Sequence, residues 1–507
     1  MTHKQSPSVL DTVLIDFSTP DYRSHWTTRN AVEGVQIFGG IGSGKTSGSG
    51  KTIALQYLSN GFGGLVLTAK HEEKALWQKY CRIADRQQDL IIVEPGAGYY
   101  FNFLEYESTV SGKSFTANIV QVLKTVIATG NGPQDKKGDD GFWEGALDML
   151  LSNTVDLCLL AYGRVTVQDL YEIAQSAPKR TFTGNNADTE SKQQADNAFR
   201  KAYNIAMDKV QEQVNSWKAG LSKEELDRFK TNAEFTKAAS DHLPDVRLMG
   251  FINNFFTDSY RNMAEKTRSI VDFYMVGFLY GLLRDPVYSL FCRYHSNFTP
   301  EDSLNGKIIL INLPVKDYYK VGKDTQVIFK YIWQRAMERR RIEENGRPVF
   351  LWADEAQHFL HEHDAEYQAT ARSSRIATVY ISQNLPNYFG NMGGRDGEYK
   401  IKSFLGTLGT KIFHANADIE TNKYASDLMG EGWQKDESEA ISTTEGKTSH
   451  TNTVTARLQK NIRPEIFGIL KTGGPDNNWV VTGYVHVQGK KFSNGFNYRK
   501  IIIHQKT

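Results

Sequence analysis

Along the chain, short and almost unbroken apolar runs alternate with stretches whose apolar residues recur at helical spacing. Residues 35–38, 64–68 and 90–93 are strand-like, and helical patterns at 52–58 and through Leu76 and Tyr80 separate them. Strands alternating with helices predict a parallel, doubly wound sheet. From about residue 112 to 284 the β-type pattern disappears. Residues 142–161 have helical apolar spacing, and residues 193–239 are charged and helical with almost no strand formers. An all-helical insertion is expected there, most exposed at 187–241.

Strand signals return at 307–313, 349–353, 378–381 and 410–413, with an amphipathic helix at 325–341. The run at 349–353, Val-Phe-Leu-Trp-Ala, is apolar enough for the centre of a sheet. Residues 434–455 hold few apolar side chains and are expected to form a mobile loop. Two closing strands, 479–488 and 496–504, are joined through Ser493-Asn494-Gly495, a hairpin signal. The expected organisation is a sheet domain in two parts, 1–111 and 301–507, around a helical insertion at 112–300.

Length and composition narrow the classes. A chain of 507 residues exceeds a single core, so two or more domains are expected. The formal net charge of +2 gives no whole-molecule field, so an anionic partner has to be met by a local patch. Cys81, Cys158 and Cys292 are far apart and odd in number, which fits neither a disulfide framework nor a zinc spacing and favours a reducing, cytoplasmic setting. Residues 1–30 lack the pattern of a secretion signal. No run reaches the roughly 18 apolar residues of a membrane span. The nearest, 269–283, carries Asp272 and reads as a buried helix.

The chemistry starts after the first of these strands. Gly39-Gly40-Ile41-Gly42-Ser43-Gly44-Lys45-Thr46 satisfies G-x-x-x-x-G-K-[ST] in full, with a strand before it and a helix after. Glycines let successive backbone N–H groups wrap a phosphate, and the helix presents its positive end to the same anion. Lys45 then reaches the β- and γ-phosphates of ATP, Thr46 offers its hydroxyl to Mg²⁺, and Ser47 completes the binding set. A second GSGKT at 48–52 fails the longer pattern, so Lys51 and Thr52 are assigned to the start of the helix.

The strand at 349–353 runs into Asp354-Glu355. An aspartate at such a strand end can hold magnesium, and the glutamate after it can orient and deprotonate water. This pairing favours an ATPase over a kinase. Gln383, at the tip of the 378–381 strand, is a candidate for contact with the γ-phosphate. Arg372 and Arg375, just before that strand, are candidates for a finger acting in a neighbouring subunit's site, or else ordinary surface residues. His358, His361 and His363, with Glu362 and Asp364, do not share one helical face and read as a solvated helix.

In this order the segments resemble the HerA/FtsK-type motor superfamily, and within it the type IV coupling proteins of conjugative secretion systems. The resemblance is carried by IFGGIGSGKTSGSGKT followed by GFGGLVLTAK, by the helical insertion from Phe142-Trp143-Glu144, and by GKIILINLPV, FLWADEAQHFL and RSSRIATVYISQNLPNYF; GTKIFHANADIETNKYASDLMG closes the series. It implies a RecA-like P-loop fold and a ring, expected to be a homo-hexamer, with ATP between subunits and single- or double-stranded DNA in a central channel. It also implies that Gln383 senses γ-phosphate, that Arg372 or Arg375 acts in trans, and that the insertion faces relaxase or effector cargo. Two departures stand out. The membrane helices with which coupling proteins usually begin are not seen in this sequence, so either docking on a separate membrane-anchor or secretion-channel protein, or a relative with a different job, is expected. Where many members carry an Asp-Pro-Lys-Gly-like turn, this chain has Thr68-Ala69-Lys70-His71.

Three functions follow from these readings. The first is an ATP-hydrolysing motor that moves relaxase-bound DNA to a secretion channel. For it, Arg335, Arg339, Arg340, Arg341 and the lysines of the insertion are DNA-contact candidates, or a solvated helix face. The second is a nucleotide-switched module recruiting relaxase or effector proteins. The third is a motor of the same kind in genome processing or phage defence.

Overall fold

A computed structural model of the chain describes residues 8–110, 115–130, 140–179, 197–361, 363–392, 397–444 and 447–506. It falls into two compact units. The first comprises Met1–Ile92, Pro300–Asp317 and Trp333–Thr507, and the second Val93–Thr299 and Tyr318–Ile332.

Among the described residues the strands are β1 (Val13–Asp16), β2 (His25–Thr27), β3 (Val35–Phe38), β4 (Gly63–Leu67), β5 (Leu90–Val93), β6 (Ile308–Ile311), β7 (Val349–Asp354), β8 (Ile376–Ser382) and β9 (Thr410–Phe413). They continue with β10 (Glu431–Thr444), β11 (Lys447–Lys460), β12 (Val480–Val487) and β13 (Tyr498–His504). Nine of them form one sheet in the order β13-β12-β9-β3-β8-β7-β4-β6-β5. Pairing is parallel between β9 and β3, β3 and β8, β8 and β7, β7 and β4, and β4 and β6. It is antiparallel where β12 joins β9 and β13 joins β12. The sheet is therefore mostly parallel, and its fold is the α/β one expected.

Every residue of β3, β4, β6, β7, β8 and β9 is buried. Continuous rather than alternating hydrophobicity is what a strand covered on both faces requires. On one face Tyr57 stacks on Phe62 at 4.9 Å, and Trp77 meets Phe350 and Trp352 at 5.5 and 5.3 Å. The closing hairpin forms as expected, with Val480 opposite His504.

Two local expectations are corrected. Of the expected loop at 434–455, the described residues are strands: β10 and β11 pair antiparallel from Glu431↔Lys460 to Thr444↔Lys447, while 445–446 lie outside the described residues. Low apolar content hid the strands, although Thr448, Thr451, Thr453, Val454 and Thr455 are the β-branched residues that favour them. The β1–β2 pair, within a stretch too polar and short to signal strands, was not anticipated.

In the second unit all named elements are helical apart from the end of β5. Helix Asp140–Tyr162 packs on Ala198–Ala219, and Val167–Gln175 packs on Glu265–Leu282. Thr166 and Asn197 cap their helices by accepting from the backbone N–H of Asp169 and Arg200. Helix Glu265–Leu282 buries Val271, Met275, Leu279 and Leu282 but leaves Phe273 exposed, so it is amphipathic rather than fully buried. Helix Val315–Arg339 is broken at Tyr319, and its Phe329 joins Phe101 and Phe298 at 5.0 and 5.8 Å. Among the described residues no helix is long and apolar enough to cross a membrane. Of the region expected to be most exposed, 187–196 lies outside the described residues.

Candidate active site

The carboxyl ends of β3, β7 and β8 lie side by side, the edge at which open α/β sheets bind ligands. Register alone brings the pieces together: Phe38 is opposite Ser382, and Asp354 is opposite Ile381.

From Phe38 the glycine loop leaves the sheet. Gly42 and Gly44 take φ values of 71° and 79°, open to glycine and costly for other residues. At Gly44 a Cβ would also lie 2.4 Å from Val481 Cγ2. Gly40 N–H donates to the Ala415 carbonyl at 2.8 Å, and Gly39 N–H to that of Ser382 at 3.3 Å, which tie the loop to β9 and β8. A single wide turn over Thr46–Gly50 leads into helix Lys51–Ser59, so Lys51 and Thr52 open the helix as expected.

Thr46 Oγ1 donates to Asp354 Oδ2 at 2.8 Å, joining the two expected magnesium ligands. Lys45 is buried, with Nζ 3.5 Å from the Gly40 carbonyl. Burial lowers its ammonium pKa, and Asp354 and Glu355 partly offset this. Ser47 Oγ accepts from Gln505 Nε2 at 2.7 Å, and Ile41 stands out into solvent.

Glu355 is the most heavily bonded group of the site. Its backbone sits in the left-handed region, φ 49° and ψ 48°, rare for a residue with a side chain and frequent at functional sites. Its carboxylate is 2.6 Å from Lys70 Nζ, and accepts from Gln357 Nε2 at 3.0 Å and from Gln383 Nε2 at 3.2 and 3.4 Å. Burial alone would raise this acid, but the hydrogen bonds from Lys70 and Gln357, the Lys70 charge and Gln383 bring it down to about 2. For Lys70, burial works downward and Asp354 and Glu355 prevail, so its pKa is raised.

Lys45, Thr46, Ser47, Glu355 and Gln383 line one cavity of about 670 Å³, with Ile41, Gly42, Ser43, Gly44, Lys70, Gln357 and His358 also on its wall. Sequence reasoning missed Lys70 and Gln357 as members of this set. Lys70 follows β4, and only the pairing of β4 with β7 brings it to Glu355.

Arg372 and Arg375 are not in the cavity. They precede β8, at the opposite end of the strand from Gln383. Arg372 pairs with Glu33 at 3.5 Å, and Arg375 Nη1 donates to the Gly346 carbonyl at 2.7 Å. Among the basic run, Arg340 donates to the Arg347 carbonyl at 2.7 Å, and burial lowers its pKa to about 10, so it is a structural residue rather than part of a solvated face. The expected solvated helix of histidines also differs: His361 and Asp364 are buried, with His361 Nε2 3.2 Å from Gln334 Oε1. Their neighbour Glu362 lies outside the described residues.

Residues 3–466 match the family model described as "Type IV secretory system Conjugative DNA transfer". Sequence comparison with curated proteins gives no match. Among solved structures, the chain is similar to the bacterial conjugative coupling protein TrwBdeltaN70 in an unbound form, at 13% identity and a TM-score of 0.58, covering 99% of this chain and 90% of that one. It is also similar to the plasmid coupling protein TrwB in complex with the GTP analogue GDPNP, at 13% identity, TM-score 0.57 and coverage of 99% and 91%. A third similarity, to TrwB in complex with ADP and Mg²⁺, has 12% identity, TM-score 0.53 and coverage of 99% and 91%. At these identities the likeness establishes the fold.

Proposed function

Because the chain belongs to the conjugative DNA transfer family of type IV secretory systems, we propose that it is an ATP-hydrolysing motor that couples relaxase-bound DNA to a secretion channel. The observation that carries this reading is the meeting of Thr46 with Asp354 at 2.8 Å beside Glu355, on the wall of the cavity that holds the glycine loop.

The residues present fit a magnesium nucleotide. Successive main-chain N–H groups of residues 39–46 and the Lys45 ammonium suit phosphate oxygens, and the Thr46 hydroxyl and Asp354 carboxylate are the hard oxygen donors magnesium prefers. Magnesium, when bound there, neutralises charge on the phosphates. Glu355 orients and deprotonates the attacking water, and Gln383 reports the γ-phosphate. Binding of ADP with Mg²⁺ by TrwB supports ATP and Mg²⁺ as the ligands here.

The finer parts of the reading rest on the family. A homo-hexamer would put Arg372 or Arg375 at a neighbour's cavity, which suits their distance from their own. DNA runs through the ring, relaxase or effector cargo meets the helical unit, and a membrane-anchor or channel protein receives the assembly. The experiment is to measure ATPase rate and particle size together, with and without single- and double-stranded DNA. DNA-stimulated turnover that falls steeply with salt and disappears in Lys45→Ala is the expected result. Robust turnover by Lys45→Ala would overturn the reading. Slow turnover indifferent to DNA, with tight binding of a relaxase, would favour the recruitment module.

A further inference from the structure

The carboxylate of Glu355 is held on both of its oxygens. A carboxylate offers about four acceptor positions. Lys70 and Gln383 stand at Oε1, at 2.6 and 3.2 Å, and Gln357 and Gln383 at Oε2, at 3.0 and 3.4 Å. Three donors make these four contacts, Gln383 Nε2 straddling both oxygens. A base must accept a hydrogen bond from the molecule it deprotonates, so the departure of one of these three donors would open Glu355 to water.

The surroundings identify which. Gln357 is buried, and its side-chain carbonyl accepts from Ser382 Oγ at 3.0 Å, which fixes it from the far side. Gln383 is anchored through its backbone carbonyl, which accepts from Asn416 Nδ2 at 2.8 Å. Lys70 shares with Gln383 a held backbone and a side chain on the cavity wall, and differs from both glutamines in its positive charge. Its main chain is held: Ala69 N–H donates to Glu73 Oε2 at 2.8 Å, the Ala69 carbonyl accepts from Lys316 N–H at 3.1 Å, and Thr68 Oγ1 donates to the Ile311 carbonyl at 2.8 Å. Its side chain is a long flexible stem, 23% exposed, and it lines the cavity. Lys70 can therefore swing without moving its backbone.

Charge supplies the reason to swing. Lys45 and Lys70 face Asp354 and Glu355 across the site, two cations against two anions, and each lysine feels both acids. A triphosphate entering the cavity adds a stronger anion than a single carboxylate, and an ammonium has three donors with which to follow it.

We infer that Lys70 is a positioning residue that latches Glu355 until the terminal phosphate of ATP draws it away, so that arrival of that phosphate is what frees Oε1 for water. The inference rests on the reading that the cavity binds ATP, and goes beyond it by making the triphosphate the key to its own hydrolysis. A diphosphate has no terminal group at that place and leaves the latch shut. The step is an exchange of ion-pair partners; no covalent bond forms or breaks in it.

Titration of the full chain with a non-hydrolysable ATP analogue and with ADP, each with Mg²⁺, tests this. Lys70→Met is expected to weaken the analogue about tenfold, the scale of a lost charged hydrogen bond, while ADP stays within about twofold. Lys70→Arg, which keeps the charge, is expected to restore much of the preference for the analogue. Glu355→Gln leaves Lys70 less tightly held, so it is expected to bind the analogue severalfold more tightly than the unaltered chain, and that gain is expected to vanish in the Lys70→Met/Glu355→Gln double variant. Equal losses for both nucleotides in Lys70→Met, or no change for either, would overturn the latch. So would Glu355→Gln binding the analogue no better than the unaltered chain, an arm that decides the question even where Lys70→Met does not fold. An unaltered chain that binds neither nucleotide sinks the ATPase reading instead, and the two failures are distinguishable.

Discussion

The centre of the sheet and the β10–β11 ribbon are both β-structure, held together in opposite ways. β7 is bonded along both edges, to β8 and β4, and buried on both faces from Val349 to Asp354. The ribbon is a separate two-stranded sheet. Trp433 faces Leu458 across it, and Trp433, Val454 and Leu458 are all exposed, Trp433 by 75%. Its base is secured by Lys460, 2.8 Å from both Asp427 and Glu431, and by Asn461, which donates to the Met429 carbonyl. Burial fixes the one; cross-strand pairs and a polar root fix the other. The difference teaches where precision is needed. The strand that delivers Asp354 and Glu355 is bonded on both edges and buried on both faces, and the ribbon bears no part of that constraint.

The largest expected effect is in the sheet centre. Trp352→Ala removes a ring packed edge-on against Trp77, and is expected to cost about 3–5 kcal/mol in denaturant unfolding. A loss below 1 kcal/mol would mean that the centre is less rigid than its burial implies. Next come the strand-tip residues themselves. Lys45→Ala or Glu355→Gln is expected to lower ATP turnover by at least about 100-fold; Glu355→Gln, which breaks the ion pair with Lys70, is expected to melt earlier as well. Turnover that survives either substitution to within about tenfold would remove that residue from the chemistry.

A third effect is a pH dependence at the antiparallel end of the sheet. Burial lowers His414 to about 4, helped by the nearby Lys45 charge, and lowers His486 to about 4, helped by Lys411. An unfolded imidazole takes its proton near 6.5, so between there and about 4 the unfolded chain binds more protons than the folded one. Stability is therefore expected to fall as pH drops through that window, by up to about 1.4 kcal/mol per pH unit for each histidine. His486→Asn is expected to flatten the slope, and an unchanged thermal profile from pH 7 to 5 would refute this. Smallest of all is the ribbon. Trp433→Ala is expected to shift global unfolding by no more than about 0.5 kcal/mol. A larger loss would show that the ribbon shares the core's stability and would erase the contrast.

The same contrast explains what was legible beforehand. Strands β3, β4, β6, β7, β8 and β9 were readable because burial on both faces writes itself as uninterrupted apolar runs, and the glycine loop because phosphate geometry demands its glycines at fixed spacing. The ribbon was read as a loop because pairing between backbones leaves no apolar signature. Lys70 was left without a role for a related reason: its partner is 285 residues away, and the neighbour relation of β4 and β7 is a property of the sheet order, not of either segment. Gln357 lies two residues past Glu355, yet its place depends on the left-handed turn at that acid, which a sequence pattern does not announce.

The glycine loop, finally, leans on residues from the far end of the chain. Val481 fills the space that a side chain at Gly44 would need, and Gln505 reaches Ser47 at 2.7 Å while its carbonyl accepts from Lys51 at 3.4 Å. The loop thus takes its supports from a segment as much as 458 residues further along the sequence, and gains them only once β12 and β13 have folded against it. Competence to grip a nucleotide is then a joint property of the motif and of residues 481 and 505, not of the motif alone.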